Sequence, residues 1–268
     1  MAHPLHTLDL AGGTRGVLLF HSLAGGPQEL HFIARGLHSA GYTVLVPVLP
    51  GYSLAAPGQR LGSQQAWADA ALAAFDALQA RCSSVVVGGL SVGAVLALQV
   101  AARRAPQVAG LMALSTALRF DGWAVPWLRK LLPLAAWLPG IGQLAVRMTT
   151  PYGIKDASLR AWVASQVQQA GRGPAAATAL RVRDLLEVRR LVQRTRRLLA
   201  DITAPTLLLH AQHDDVASSH NAHEVGRSIR SQQVSWGLFA DSFHMLAIDR
   251  EKQQVLAAMQ GFLQQLGV

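Results

Sequence analysis

Residues 85–93 read Val-Val-Val-Gly-Gly-Leu-Ser-Val-Gly. An apolar strand runs into a Gly-x-Ser-x-Gly turn over 89–93, and a helix opens at Val92. That is the strand–turn–helix setting of a nucleophile elbow. Its serine must sit on a tight, strained turn for the hydroxyl to project above the sheet. Such a turn leaves no room for side chains two residues away on either side, where Gly89 and Gly93 stand. The helix that follows aims its free amino-terminal N–H groups at a developing anion. Five residues alone match weakly, and the elements around them give the match its weight.

Working outward, 16–20 is a short, wholly apolar run that ends in His21-Ser22 and is followed by Gly25-Gly26-Pro27, as a buried parallel strand reads. Helical spacing covers 28–40, with Gly41 where a C-cap is wanted. A second strand spans 43–48 and an alanine-rich helix 63–80, with Ser63 as its N-cap. The elbow strand and the helix 92–104 come next, then a strand at 110–115. This alternation predicts an α/β fold, a mostly parallel central sheet with helices on both faces. Over 119–200 the pattern stops. That stretch shows no convincing strand, holds Trp123, Trp127, Trp137 and Trp162, and carries a basic helix over 181–197 with Leu185, Leu186 and Leu191. The sheet pattern resumes with a strand at 206–210, a helix at 221–229, a strand at 233–239 and a closing amphipathic helix at 250–266. Residues 1–118 and 201–268 therefore read as one core, and 119–200 as an insertion between two of its strands.

A serine hydroxyl needs a base to attack at neutral pH. His244 follows the last strand, in Ala-Asp-Ser-Phe-His over 240–244, and histidine suits the task because it titrates near neutrality. A carboxylate should fix its tautomer. Asp214 follows the 206–210 strand by a short loop, with Asp215 as a neighbouring rival, while Asp241 stands too close before the histidine and reads as a turn cap. Ser91, Asp214 and His244 then occur in the chain order of this motif class. All three lie at carboxyl ends of predicted strands, where open α/β sheets bind ligands. His21, beside the loop after the first strand, reads as a brace for that loop.

The ordered set resembles the α/β-hydrolase superfamily and, within it, the small bacterial carboxylesterases and monoacylglycerol lipases. Residues 18–30, Leu-Leu-Phe-His-Ser-Leu-Ala-Gly-Gly-Pro-Gln-Glu-Leu, are similar to that group's H-G-F-x-G segment. Ala204-Pro205-Thr206 with His213-Asp214, and Ser242-Phe243-His244 with Ile248-Asp249, resemble its acid and histidine segments. The likeness covers almost the whole chain and favours Asp214 over Asp215. It implies a serine hydrolase that cleaves a small-molecule acyl ester, with the N–H groups of Leu23 and Val92 as the oxyanion hole and 119–200 as a helical lid. One departure stands out: Ser22 occupies the place of the family's glycine after the histidine.

Composition narrows the alternatives. The single cysteine, Cys82, excludes an internal disulfide. No run of about 18 apolar residues suggests a membrane span, and the amino terminus lacks a signal-peptide pattern, so a cytoplasmic protein is expected. A formal net charge of +9 invites a nucleic-acid reading, but the arginines are not interleaved with aromatics, and no nucleic acid is expected. His210, His213 and Asp214, followed by His220 and His223, cross from strand to loop and need not converge, so neither metal nor cofactor is expected. Two other functions fit the same residues. A thioesterase or acyltransferase would use the same triad on a carrier-bound acyl chain, and the basic surface suits an acidic carrier protein. A non-catalytic binding protein would use the lid cavity as a receptor pocket.

Overall fold

The computed structural model describes residues 5–53, 60–126, 141–147, 150–170 and 179–267. In chain order these form β1 (Leu8–Leu10), β2 (Arg15–Phe20), α1 (His31–Ser39), β3 (Thr43–Val46), α2 (Gln64–Gln79), β4 (Ser84–Leu90), α3 (Val92–Arg103), β5 (Val108–Leu114), β6 (Ala145–Arg147), α4 (Ala157–Ala170), β7 (Ala179–Arg181), α5 (Val182–Leu198), β8 (Thr206–Ala211), α6 (His220–Ser228), β9 (Val234–Phe239) and α7 (Lys252–Gln265).

The main sheet has the order β1-β3-β2-β4-β5-β8-β9. Every neighbouring pair is parallel except β1 with β3. The central strands are apolar on both faces because both faces are covered. Leu18, Phe20, Val85 and Val87 join the core under α2, α3 and α5. Val17, Leu19 and Val86 point the other way, into the core under α1 and α7. The chain moves from β2 outward to β3, then crosses back over β2 to β4 and continues to β5. The direction of winding thus reverses between β2 and β4. Loops leaving their carboxyl ends border the crevice where this architecture binds ligands.

The helix signals act as their chemistry requires. The Ser63 side chain accepts a hydrogen bond from the Ala66 amide at 3.2 Å, and Gly41 takes φ +94° just past α1. Helix α5 buries Val182, Val188, Leu191 and Val192 and leaves Arg189, Arg190, Arg194 and Arg197 exposed. Leu185 and Leu186 are only half-buried. The helix is tied to α3 by the Gln99 amide, which donates to Thr195 Oγ1 at 3.0 Å.

Two expectations are corrected. Strand β1 was not foreseen, and the 119–200 segment does contain strands: β6 and β7 pair antiparallel, with Ala145 opposite Arg181. Three residues are too few to display a period. Trp123 and Trp162 are largely exposed, 63% and 60%, so neither forms an insertion core, while Trp127 and Trp137 lie outside the described residues. Among the described residues no helix is long and apolar enough to cross a membrane.

Candidate active site

Ser91 terminates β4 and precedes α3 with φ 61° and ψ −120°, a backbone conformation that an L-residue holds only under strain. The turn is kept by the Ser91 amide, which donates to the Leu114 carbonyl on β5 at 2.9 Å. Close packing explains both flanking glycines. A Cβ at Gly93 would stand 2.2 Å from the Phe20 carbonyl oxygen and 2.4 Å from that of His21, and one at Gly89 would stand 2.4 Å from the Gly93 carbonyl. These obstacles are backbone, so neither position accepts a side chain.

The ring of His244 lies between the other two residues. Its Nε2 is 2.8 Å from Ser91 Oγ. Its Nδ1 is 2.8 Å and 3.0 Å from the two carboxylate oxygens of Asp214. With Nδ1–H donating to Asp214, Nε2 is left to accept the serine proton. All three residues are buried. Burial opposes the charge of Asp214, but His244 and His210 beside it outweigh this and hold its carboxyl below the usual range. Burial likewise opposes a charged His244. Asp214 counters it most strongly, with Asp215 and Glu29, and the imidazole titrates above its usual value.

The acid loop is also fixed. Asp214 Oδ1 accepts from the amides of Val216 and Ala217, both at 2.8 Å. The buried His210 Nε2 donates to the Ala217 carbonyl at 2.7 Å and lies 3.3 Å from Asp214 Oδ2. Asp215, the rival acid, binds backbone amides rather than the imidazole. Its oxygens accept from the Gly153 amide at 2.9 Å and the His244 amide at 3.4 Å. Asp249 accepts from the amides of Lys155, Asp156, Phe243 and Arg250 at 2.7–3.0 Å, anchoring the histidine loop. Sequence reading assigned no role to His210 or Asp249. Adjacency alone singled out Asp215, and a buried carboxylate that gathers amides from distant segments leaves no local signature.

Across the crevice, Leu23 lies in the turn after β2, and Val92 is the first residue of α3. The backbone contact of Gly93 with residues 20 and 21 brings these two segments together. An N–H at the first position of a helix has no acceptor within that helix. His21 braces the turn: its Nδ1 donates to the Ser22 carbonyl at 2.7 Å, and its Nε2 accepts from the Ser53 hydroxyl at 2.9 Å. Burial lowers its pKa to about 4, so it stays neutral. Tyr52 adds a hydrogen bond to the His21 carbonyl at 3.0 Å. Ser22 is held by Glu29, half-buried in the same loop. Among the described residues no group of three or more His, Cys, Asp or Glu side chains could hold a metal ion. What the arrangement offers chemically is a hydroxyl with a proton acceptor in contact, a carboxylate to stabilise the imidazolium, and helix-end amides facing the same crevice.

The family described as serine aminopeptidase, S33, matches residues 14–251. A thermostable monoacylglycerol lipase of Bacillus sp. (strain H-257) is 23% identical over 244 residues, spanning 91% of this chain and 88% of that one. A carboxylesterase of Bacillus subtilis (strain 168) is 20% identical over 266 residues, spanning 95% and 94%. Among solved structures, one reported with the metagenome-derived lipolytic enzymes LipS and LipT superposes with a TM-score of 0.81 at 24% identity, covering 98% of both chains. That last likeness establishes the fold.

Proposed function

From the premise that this chain belongs to the serine aminopeptidase, S33, family of α/β-hydrolases, we infer that it is a carboxylic-ester hydrolase working through an acyl-enzyme on Ser91. The observation that carries this reading is the continuous relay from Ser91 through His244 to Asp214, with contacts of 2.8 Å at both ends of the imidazole. The two curated relatives, a monoacylglycerol lipase and a carboxylesterase, favour an ester over other acyl substrates.

In the first step Ser91 Oγ attacks the ester carbonyl while its proton passes to His244 Nε2. The carbonyl oxygen becomes an oxyanion, held by the N–H groups of Leu23 and Val92. The tetrahedral species collapses, the proton on His244 goes to the departing alcohol, and the acyl group stays on Ser91. A water molecule then gives a proton to His244 and attacks the acyl carbon, and this second tetrahedral species collapses as His244 returns the proton to Ser91 Oγ, releasing the acid. Asp214 holds the ring orientation and stabilises its charged form throughout.

The 119–200 segment serves as a lid that shapes the acyl pocket. Its Trp123 supports this: the ring packs edge-on to Phe243 with centroids 5.6 Å apart, and its Nε1 donates to the His213 carbonyl at 3.1 Å. Trp123 thus touches the neighbours of both His244 and Asp214.

The test is turnover of chromogenic esters of graded acyl length, with matched thioesters as a second arm. Ser91→Ala should lose about 10³-fold or more in kcat, and a fluorophosphonate should label the wild type but not the variant. Undiminished turnover in Ser91→Ala would sink the mechanism. Preference for the thioester would move the substrate to a carrier-bound acyl chain with the same triad.

A further inference from the structure

The loop after β2 carries a carboxyl group for which the ester-cleavage mechanism has no use. Glu29 sits in a single 3-10 turn, Pro27–Leu30, directly before α1. Its Oε2 accepts from the Ser22 amide at 2.9 Å, and its Oε1 accepts from the Ser22 hydroxyl at 2.9 Å. The loop leaves space for this side chain. A Cβ at Gly25 would start 2.0 Å from Glu29 Oε1 and 2.8 Å from Oε2, so any larger residue at 25 drives the carboxylate from its seat. The rest of the turn is equally constrained. Gly25 N donates to the Ser22 carbonyl at 3.2 Å, Ala24 N donates to the Tyr52 carbonyl at 3.0 Å, and Ala24 takes φ 63°. Leu23 lies between the residue that Glu29 grips and that left-handed alanine.

We propose that Glu29 is a positioning residue for ester cleavage: its carboxylate, bonded to both donors of Ser22, holds the Leu23 amide where the oxyanion forms. The proposal rests on the Ser91 acyl-enzyme reading. It also accounts for the serine that replaces the family's glycine, because a glycine at position 22 would offer the carboxylate only one donor.

With the Ser22 amide and hydroxyl both donating, ionised Glu29 accepts two charge-assisted bonds. A protonated carboxyl keeps the pair only by turning the hydroxyl round to accept its O–H, and it holds the amide more weakly. Burial raises the Glu29 pKa to about 7, against the opposing pull of its Ser22 bonds and of His244. The titratable groups facing it are Tyr52 from the loop after β3 and His244 from the loop after β9, and His244 itself faces Asp214 and Asp215. The grip therefore tightens as Glu29 ionises, and full turnover requires Glu29 and His244 both deprotonated. Interacting groups of this kind titrate as a pair.

The experiment is a set of pH profiles of kcat and kcat/KM for wild type, Glu29→Gln, Gly25→Ala and Ser91→Ala, with the melting temperature of each. The wild-type acid limb should be steeper than a single ionisation. In Glu29→Gln it should fall to a slope of one and move to lower pH, because His244 loses a facing negative charge. Gly25→Ala keeps that charge but displaces it, so its limb should also become single-proton without the same displacement. The plateau kcat should drop roughly ten-fold in Gly25→Ala, where the carboxylate leaves Ser22, and less in Glu29→Gln, whose amide can still accept from the Ser22 N–H and donate to its hydroxyl, with KM little changed in either. The wild-type slope retained in Glu29→Gln together with the wild-type kcat retained in Gly25→Ala, alongside an inactive Ser91→Ala, would overturn the positioning role alone. So would a rate loss that merely follows a lower melting temperature with the acid limb unmoved. Activity surviving in Ser91→Ala would be a separate result, overturning the acyl-enzyme reading beneath it.

Discussion

Ser91 holds its place between β4 and α3 at a cost in backbone strain. At φ 61° and ψ −120° it holds a conformation that costs about 1–3 kcal/mol for a residue with a Cβ. Ser91→Gly removes that strain and the hydroxyl together. It should therefore unfold at a higher temperature, by roughly 2 °C for about 1 kcal/mol in a chain of this size, while turnover disappears; a melting curve beside an ester assay checks both. The acid limb of the rate profile has an equally definite sign. In the proposed mechanism His244 acts as a base only when neutral, and Asp214 chiefly raises its pKa above the ordinary 6.5 against the effect of burial. Activity should consequently be lost as pH falls through a value above 6.5, and Asp214→Asn should move that limb downward while cutting kcat. At this scale Ser91, Asp214 and His244 were legible because a short motif and chain order carry them. His210, Asp215 and Asp249 were not, since their partners are backbone amides and carbonyls brought from other segments by folding.

Helix α5 shows how far periodicity reaches. The basic run over 181–197 was readable as a helix, and it is one with a solvated arginine face: Leu191 is fully buried and Val192 nearly so, while Arg189, Arg190, Arg194 and Arg197 face outward. Which leucines enter the core was not readable, because Leu185 and Leu186 satisfy the spacing equally well and remain half-buried. Burial predicts that Leu191→Ala costs about 3 kcal/mol and Leu185→Ala much less, a difference that denaturant unfolding resolves. The strands β1, β6 and β7 escaped sequence reading for another reason. Each has three residues, too few for an alternation, and each exists only through its partner strand. Longer elements such as α2 and β4 declared themselves through a cap or an unbroken apolar run.

Across the whole molecule, the site depends on segments far apart in the chain converging on one end of the sheet. Asp249 is the clearest tie. It holds the amides of Lys155 and Asp156 from the 119–200 segment and that of Phe243 beside His244. Asp249→Ala would leave these donors unpaired in a buried place, and urea unfolding should register a loss of about 3 kcal/mol, with kcat falling as His244 loses its support. The sequence by itself determined the alternating core, the elbow at Ser91 and the order of its partners, because strand–turn–helix chemistry and apolar periodicity are local properties. Only the tertiary structure decided that Asp215 binds the Gly153 and His244 amides, that Trp123 reaches over to Phe243, and that Glu29 turns back onto Ser22. Those outcomes depend on which way side chains point once the loops at the ends of parallel strands are brought together, and no local pattern encodes that direction.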